Sequence, residues 1–316
     1  MKKKIAWGTS KLLEMYLDKT KINPFAYCVD NFFKGGKDYG MPIKKSESLL
    51  QEERGTFQII IFAVSSKSLQ EISHELSGMG LCYGKDFIFY SDFFYLDFLK
   101  KAETALGFKL NPEFYKFALS HTLNSKLSIH TTILGSWLFL ELINSLNNVN
   151  GSLAEVGAFE GGNALCGLNF MTKLNSKKFY VFDSFEGFPE LSKNDPLNFH
   201  KGDYNIEATF QDIKNSFLVF PEAIVIKGFV PETFKEISGE EKFSLVFYDC
   251  DIYQPAIDTF NFFWDKIVPG GYLLIHDYET QEGGFTGVKK ATNEFFGQKN
   301  VKIFSFFENT MAIIKK

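Results

Sequence analysis

The sequence predicts an α/β protein made of two units, each a parallel sheet with helical crossovers, the second closed by an antiparallel hairpin. Three observations predict it. Short apolar runs of strand length alternate with segments of helical period along most of the 316 residues. The alternation occurs twice, once before a long helical stretch and once after it. The chain then finishes with two apolar strands around a turn, where no crossover helix intervenes.

The first unit opens with a strand at 4–8, a helix at 11–18, a second strand at 25–30 and a third at 57–64. A helix at about 66–76 and a short strand at 86–90 complete a half-Rossmann pattern. Its first turn, Gly8-Thr-Ser10, lacks the G-x-G-x-x-G run, so no dinucleotide is expected there. Asp30, at the tip of the second strand, is either a ribose ligand or a turn residue. Scaffolding, dimerisation or acceptor binding is the expected role of this unit. From about 93 to 150 the pattern is helical, with Pro112 at a helix start and apolar residues at helical spacing over 131–146. A boundary near Leu110 gives domains at 1–110 and 111–316. The second unit carries strands at 153–156, 179–183, 223–226, 243–248 and 272–275, then a hairpin of 302–307 and 311–314 around Glu308-Asn-Thr310.

A net charge of −4, with Arg54 the single arginine, argues against a surface that neutralises phosphates, and no nucleic-acid partner is expected. The 37 phenylalanines and the use of lysine over arginine are compositional bias. Cys28, Cys82, Cys166 and Cys250 are scattered without a C-x-x-C, so neither a zinc ribbon nor a disulfide framework is indicated, and a reducing, cytoplasmic setting fits. The basic start is followed by Lys11 and Glu14 rather than an apolar stretch, and no apolar run reaches about 18 residues. Neither secretion nor a membrane span is expected.

Chemistry gathers at the strand tips. Phe243-Ser-Leu-Val-Phe-Tyr-Asp-Cys-Asp251 ends an apolar strand in two carboxylates, and Gly271-Tyr-Leu-Leu-Ile-His-Asp277 ends the next in an imidazole and an acid. Sites of open α/β sheets lie at the carboxyl ends of their strands. Upstream, Glu155-Val-Gly-Ala-Phe-Glu-Gly-Gly162 is a strand running into a glycine turn, and Asp183 closes the strand after it. These segments together indicate an enzyme.

In order, Glu155 to Gly162, Phe182-Asp-Ser-Phe-Glu-Gly-Phe-Pro189, Lys227-Gly-Phe-Val-Pro-Glu-Thr233, Asp249-Cys-Asp-Ile-Tyr-Gln-Pro255 and Pro269-Gly-Gly-Tyr-Leu-Leu-Ile-His-Asp-Tyr278 resemble the motifs of the macrocin O-methyltransferase family, over about residues 112–314. The resemblance implies a class I methyltransferase sheet, Rossmann-like and doubly wound, with S-adenosylmethionine as cofactor and a sugar hydroxyl as acceptor. Because the sulfonium methyl is already activated, the protein mainly aligns the acceptor oxygen and removes its proton. Gly157, Gly161 and Gly162, with Phe159 between them, are expected to let the backbone approach the methionine part of the cofactor. Asp183, beside Ser184, is expected to accept the ribose hydroxyls. Phe185 and the Gly228-Phe229 pair either flank the adenine or belong to the core. Glu155, an acid in an apolar strand, needs a partner, and the cofactor amine is one candidate.

On the acceptor side the resemblance implies magnesium, with an acid at the position of Asp249 and an Asp-Asp pair where this chain has His276-Asp277. An imidazole shifts the preference toward manganese, iron or zinc. Two alternatives follow: a divalent metal on Asp249, His276 and Asp277, or a metal-free site in which His276, oriented by Asp249 or Asp277, is the base. Asp251 is placed to bind the acceptor, and Cys250 between two acids is expected to pack rather than react. The connection 194–202, which contains His200 and is followed by Asp203 and Tyr204, is either a lid or a solvated loop. Gly283-Gly-Phe-Thr-Gly287, with Lys289 beyond it, either closes over the acceptor or lies at the surface. The expected acceptor is a heptose or hexose, nucleotide-linked or not, for a surface polysaccharide, with a macrolide-type glycoside as the alternative, and a homo-oligomer is expected. Two other classes stay open: a nicotinamide-dependent sugar oxidoreductase, against which the missing fingerprint and the lack of a Tyr-x-x-x-Lys pair count, and a non-catalytic binding protein of the same fold.

Overall fold

Two sheets carry the chain in the computed structural model, which describes residues 2–316 apart from 36–37, 173, 175–176, 280–285 and 307–309. In the first, β1 (Lys3–Trp7), β2 (Phe25–Val29), β3 (Ile43–Lys44), β4 (Phe57–Ile61) and β5 (Phe87–Phe89) run parallel in the order β3-β2-β1-β4-β5. The helices α1 (Lys11–Thr20) and α2 (Ser66–Gly78) connect them. The two-residue β3 has no counterpart in the sequence reading, being too short to show a period. Asp30 proves to be a turn residue: its carboxylate accepts from the Thr9 and Phe32 N–H groups at 3.1 and 2.8 Å and from the Thr9 hydroxyl.

In the second sheet, β6 (Ser152–Val156), β7 (Phe179–Asp183), β8 (Ala223–Lys227), β9 (Phe243–Tyr248) and β10 (Ile267–His276) are parallel in the order β8-β7-β6-β9-β10. The hairpin of β11 (Ile303–Phe306) and β12 (Met311–Lys315) adds to β10 through β12, antiparallel. The turn residues 308 and 309 lie outside the described residues. Every residue of β6 and β9 is buried, which is what near-continuous apolar runs require when helices cover both faces of a parallel sheet.

Alternate side chains of these strands feed different cores. Val246, Tyr248 and Ile275 pack with Phe260 and Phe263 of α8 (Tyr253–Phe263) and Phe296 of α9 (Thr286–Phe296). Leu245, Phe247 and Leu274 face the other way, into a core continuous with that of the first sheet. The helices α3 (Tyr90–Leu106), α4 (Pro112–Asn124) and α5 (Ile133–Ser145) fill the space between. From Ile133 to Ile143, α5 is buried all round, so its apolar residues are not confined to one face. Thr132 caps it, its Oγ1 accepting from the Gly135 N–H at 3.1 Å.

The two sheets are tied where β4 ends. Ser66 N–H donates to the Ile129 carbonyl at 2.8 Å, and Ile129 N–H donates back to Ser66 Oγ at 2.9 Å. Gln70 adds bonds to the carbonyls of Thr122 and Ser125 at 2.8 and 3.0 Å. Among the described residues no helix is long and apolar enough to cross a membrane.

Candidate active site

A cavity of about 450 Å³ opens at the carboxyl ends of β6, β7, β9 and β10, a size ordinary for a small-molecule site. The β6 turn forms its floor. Gly157 adopts φ +92°, and a Cβ there would sit 2.3 Å from the Asp249 carbonyl oxygen, so the bare backbone lets the tips of β6 and β9 touch. Asp249 N–H donates to the Val156 carbonyl at 2.8 Å across the same contact. Gly161 and Gly162 are not in the cavity wall. Their missing side chains make room for the Phe217 ring and for the Ser128 carbonyl, which a Cβ would approach to 2.6 and 2.4 Å. They seat the start of α6 (Gly162–Met171) instead.

Asp183 holds the turn in shape. Its Oδ2 accepts from the Phe159 N–H at 2.7 Å and its Oδ1 from the Phe185 N–H at 2.6 Å, and both phenylalanines have positive φ. Burial pushes this carboxyl up to about 6 against those two bonds. Phe159 and Ser184 line the cavity, and so do Gly228 and Phe229; the Phe229 ring is partly exposed. Phe185 does not: it is 1% exposed and packs on Phe210 with ring centroids 4.7 Å apart.

Glu155 is 2% exposed and lines the cavity. One oxygen accepts from Asn163 Nδ2 at 3.1 Å, the other has no partner among the described residues, and burial pushes the carboxyl up to about 8. A buried acceptor left unpaired beside an open cavity calls for a donor from whatever binds there.

Where β9 and β10 end, His276 Nδ1 lies 2.9 Å from Asp249 Oδ1 and 2.8 Å from Asp277 Oδ2. Burial opposes charge on the imidazole, but the two carboxylates outweigh it and hold His276 well above its ordinary range. Burial raises Asp249; Asp251 is raised by burial and then by Asp277, to which it is hydrogen-bonded. Asp277 stays low because His276 outweighs its burial. Asp251 and Asp277 both sit at positive φ, a strain that aspartate tolerates and functional sites often hold. Ligand atoms of Asp249, His276 and Asp277 all lie within 4.8 Å of one another, close enough for one cation to bridge.

Several lining residues were not anticipated. His130, kept neutral by burial, meets Phe159 edge-on at 4.8 Å, and Leu12, Met15 and Val64 reach the cavity from the first sheet. Tyr204 lines it too, whereas His200 is exposed and donates its N–H to Asp203 at 2.8 Å. The preceding loop is pinned: Asp195 accepts from the Tyr253 N–H at the start of α8 at 2.6 Å and from Ser192. Lys289 pairs with Glu279 at 2.7 Å, and residues 283–285 of the glycine motif lie outside the described residues.

A seven-stranded sheet of this order, with a glycine turn after its first strand and an acid at the tip of the next, defines a class I methyltransferase fold. Residues 139–304, just over half of the chain, match the Macrocin-O-methyltransferase (TylF) family, and the chain belongs to it. It is 23% identical over 142 residues to demethyldecarbamoylnovobiocin O-methyltransferase of Streptomyces niveus, covering 42% of this chain and 54% of that protein. Mycinamicin III 3''-O-methyltransferase of Micromonospora griseorubida is 23% identical over 146 residues, covering 42% and 57%. The chain thus spans about half the length of the curated relatives it matches. The O-methyltransferase NovP superposes with a TM-score of 0.52 at 17% identity, covering 72% of this chain and 98% of that one. The calicheamicin methyltransferase CalS11 gives 0.52 at 14%, covering 70% and 91%. Both likenesses concern the fold.

Proposed function

We propose that the protein moves a methyl group from S-adenosylmethionine to a sugar hydroxyl. One observation carries this: a single cavity collects the Asp183 carboxyl, an unpartnered oxygen of Glu155 and the Asp249–His276–Asp277 cluster. The residues fit the donor. Asp183 uses one lone pair on each oxygen for backbone and keeps others for ribose hydroxyls, while the free Glu155 oxygen suits the α-ammonium group. Phe159 and Phe229 offer apolar surface to the rest of the nucleoside. When bound, the donor supplies a methyl already activated by its sulfonium.

For the acceptor side we favour a divalent metal on Asp249, His276 and Asp277. Support comes from His276: clamped by two carboxylates it holds its proton too firmly to be a ready base, and that proton marks where a cation is welcome. A mixed nitrogen and oxygen donor set suits manganese, iron or zinc better than magnesium, and such an ion would polarise the hydroxyl. Asp251, outside the three donors, lines the same cavity and is then the carboxyl left to hold the acceptor hydroxyl.

The favoured acceptor is a heptose or hexose of a surface polysaccharide, since the first sheet lies ahead of the family match and sets this chain apart from a bare tailoring enzyme. We further take it to act in the cytoplasm, in keeping with four free cysteines, and as a homo-oligomer, which light scattering would test. Calorimetry with S-adenosylmethionine and with nicotinamide nucleotides, followed by methyl transfer to a sugar panel, tests the whole. Donor binding with turnover is expected; binding of the nicotinamide nucleotides alone would overturn it.

A further inference from the structure

Residues 125–132, the connection between α4 and α5, lie ahead of the family match that begins at 139, yet Ser128, Ile129, His130, Thr131 and Thr132 line the cavity. So short a connection has no ladder of its own, and its backbone groups must be held from outside. The second sheet grips one side. Ser128 N–H donates to Glu160 Oε2 at 2.7 Å, and a Cβ on Gly162 would sit 2.4 Å from the Ser128 carbonyl oxygen. The helix α2 of the first sheet grips the other. Ser66, 1% exposed in its first turn, exchanges bonds of 2.8 and 2.9 Å with the Ile129 backbone. Gln70, four residues on and therefore on the same face, donates to the Thr122 and Ser125 carbonyls at 2.8 and 3.0 Å. The segment is thus clamped between α2 and the glycine turn after β6, with His130 edge-on to Phe159 at 4.8 Å.

We infer that Ser66 and Gln70 are positioning residues for the methyl donor: they hold 125–132 as a preformed strap against the glycine turn, and so tie donor affinity to the first sheet. This rests on the methyltransferase reading above. A strap already in its bound shape spares the donor the entropy of ordering it. Released from α2, it samples other shapes, and only a fraction of the molecules then present the complete wall. Neither Ser66 nor Gln70 is among the described lining residues, so each acts through the strap without touching the donor.

The test titrates the full-length protein with S-adenosylhomocysteine by calorimetry and follows hydrogen exchange of residues 125–131 by mass spectrometry, with and without that ligand. In the wild type the ligand is expected to slow exchange there. Ser66→Ala leaves the buried Ile129 N–H without its acceptor, and Gln70→Glu, nearly isosteric at a half-buried position, turns an acceptor toward two carbonyls. Both are expected to speed exchange of the strap in the free protein and to weaken S-adenosylhomocysteine about ten-fold, the worth of one hydrogen bond with a partner left buried. Gln70→Lys keeps a donor and is expected to stay within about two-fold of the wild type. Should Ser66→Ala fail to fold, the two Gln70 variants decide alone. A lowered melting temperature with wild-type affinity assigns these side chains to the fold only and overturns the inference. So does a loss in Gln70→Lys as large as in Gln70→Glu. Failure of the wild type to bind S-adenosylhomocysteine would instead bring down the methyltransferase reading, and the inference with it.

Discussion

Replacing Glu155 with glutamine gives the sharpest test of the site's physics. In the folded protein this carboxyl titrates at about 8 against an ordinary 4.5, because burial disfavours its charge. At pH 7 the unfolded chain has released the proton and the folded chain has kept it. Each pH unit above 4.5 therefore costs the fold about 1.4 kcal/mol, or roughly 3 kcal/mol in all at pH 7. The stability is fully present below pH 4.5 and is lost progressively as the pH rises to about 8. Glutamine has no proton to lose, so Glu155→Gln should gain on the wild type across that window. Its amide leaves a buried donor in place of the unpaired oxygen, an offset of about 1–3 kcal/mol that does not vary with pH. The slope of the difference, not its absolute size, is thus diagnostic. Urea unfolding of both proteins from pH 4.5 to 8, followed by tryptophan fluorescence, measures it. A difference that stays flat across the range would refute the buried, protonated Glu155. If the α-ammonium of the donor is its partner, donor binding at pH 7 should also release about one proton in the wild type and none in the variant, read from calorimetry in buffers of different ionisation enthalpy.

Asp183→Ala should weaken S-adenosylhomocysteine by about 1.5–3 kcal/mol for each ribose hydrogen bond lost; unchanged affinity by calorimetry would remove the ribose assignment. Asp249→Asn should abolish methyl transfer and leave donor affinity within about three-fold, and full residual turnover would refute its role. His276→Asp makes the donor set all oxygen and should shift the most effective ion from manganese toward magnesium in add-back assays after chelation; an unshifted order would remove His276 from the metal site. Gly157→Ala drives a Cβ to 2.3 Å from the Asp249 carbonyl oxygen at φ +92° and should cost several kcal/mol by thermal melting. A wild-type melting temperature would show that the two strand tips can part.

Much of this architecture is legible because a parallel strand covered on both faces must be apolar along its length. The runs that became β6, β7 and β9 declare themselves, and Asp183, which closes β7, and Asp249, just beyond β9, stand out as acids at their tips. The two-residue β3 leaves no such trace. Glycines are harder, because a sequence does not say whether a missing Cβ admits a ligand or a neighbour. Gly157 makes way for the Asp249 backbone, Gly161 for Phe217 and Gly162 for Ser128. Nor does it say which of many phenylalanines meets a cavity: Phe185 is sealed against Phe210, while Phe159 and Phe229 line the opening. Leu12, Met15, Val64 and His130 carry no local signal of a site. Their place in the wall depends on how two distant sheets dock, and no local pattern encodes that.

The docking has a practical side. Tyr95 stacks on Trp137 with centroids 5.1 Å apart, and Phe98 lies 6.4 Å from Phe306, so aromatic rings from before and after residue 110 interleave. A fragment begun at residue 111 would bare Trp137 and Phe306 to water and remove Leu12, Met15 and Val64 from the cavity wall. Anyone trimming or grafting the second sheet should keep the first hundred residues with it.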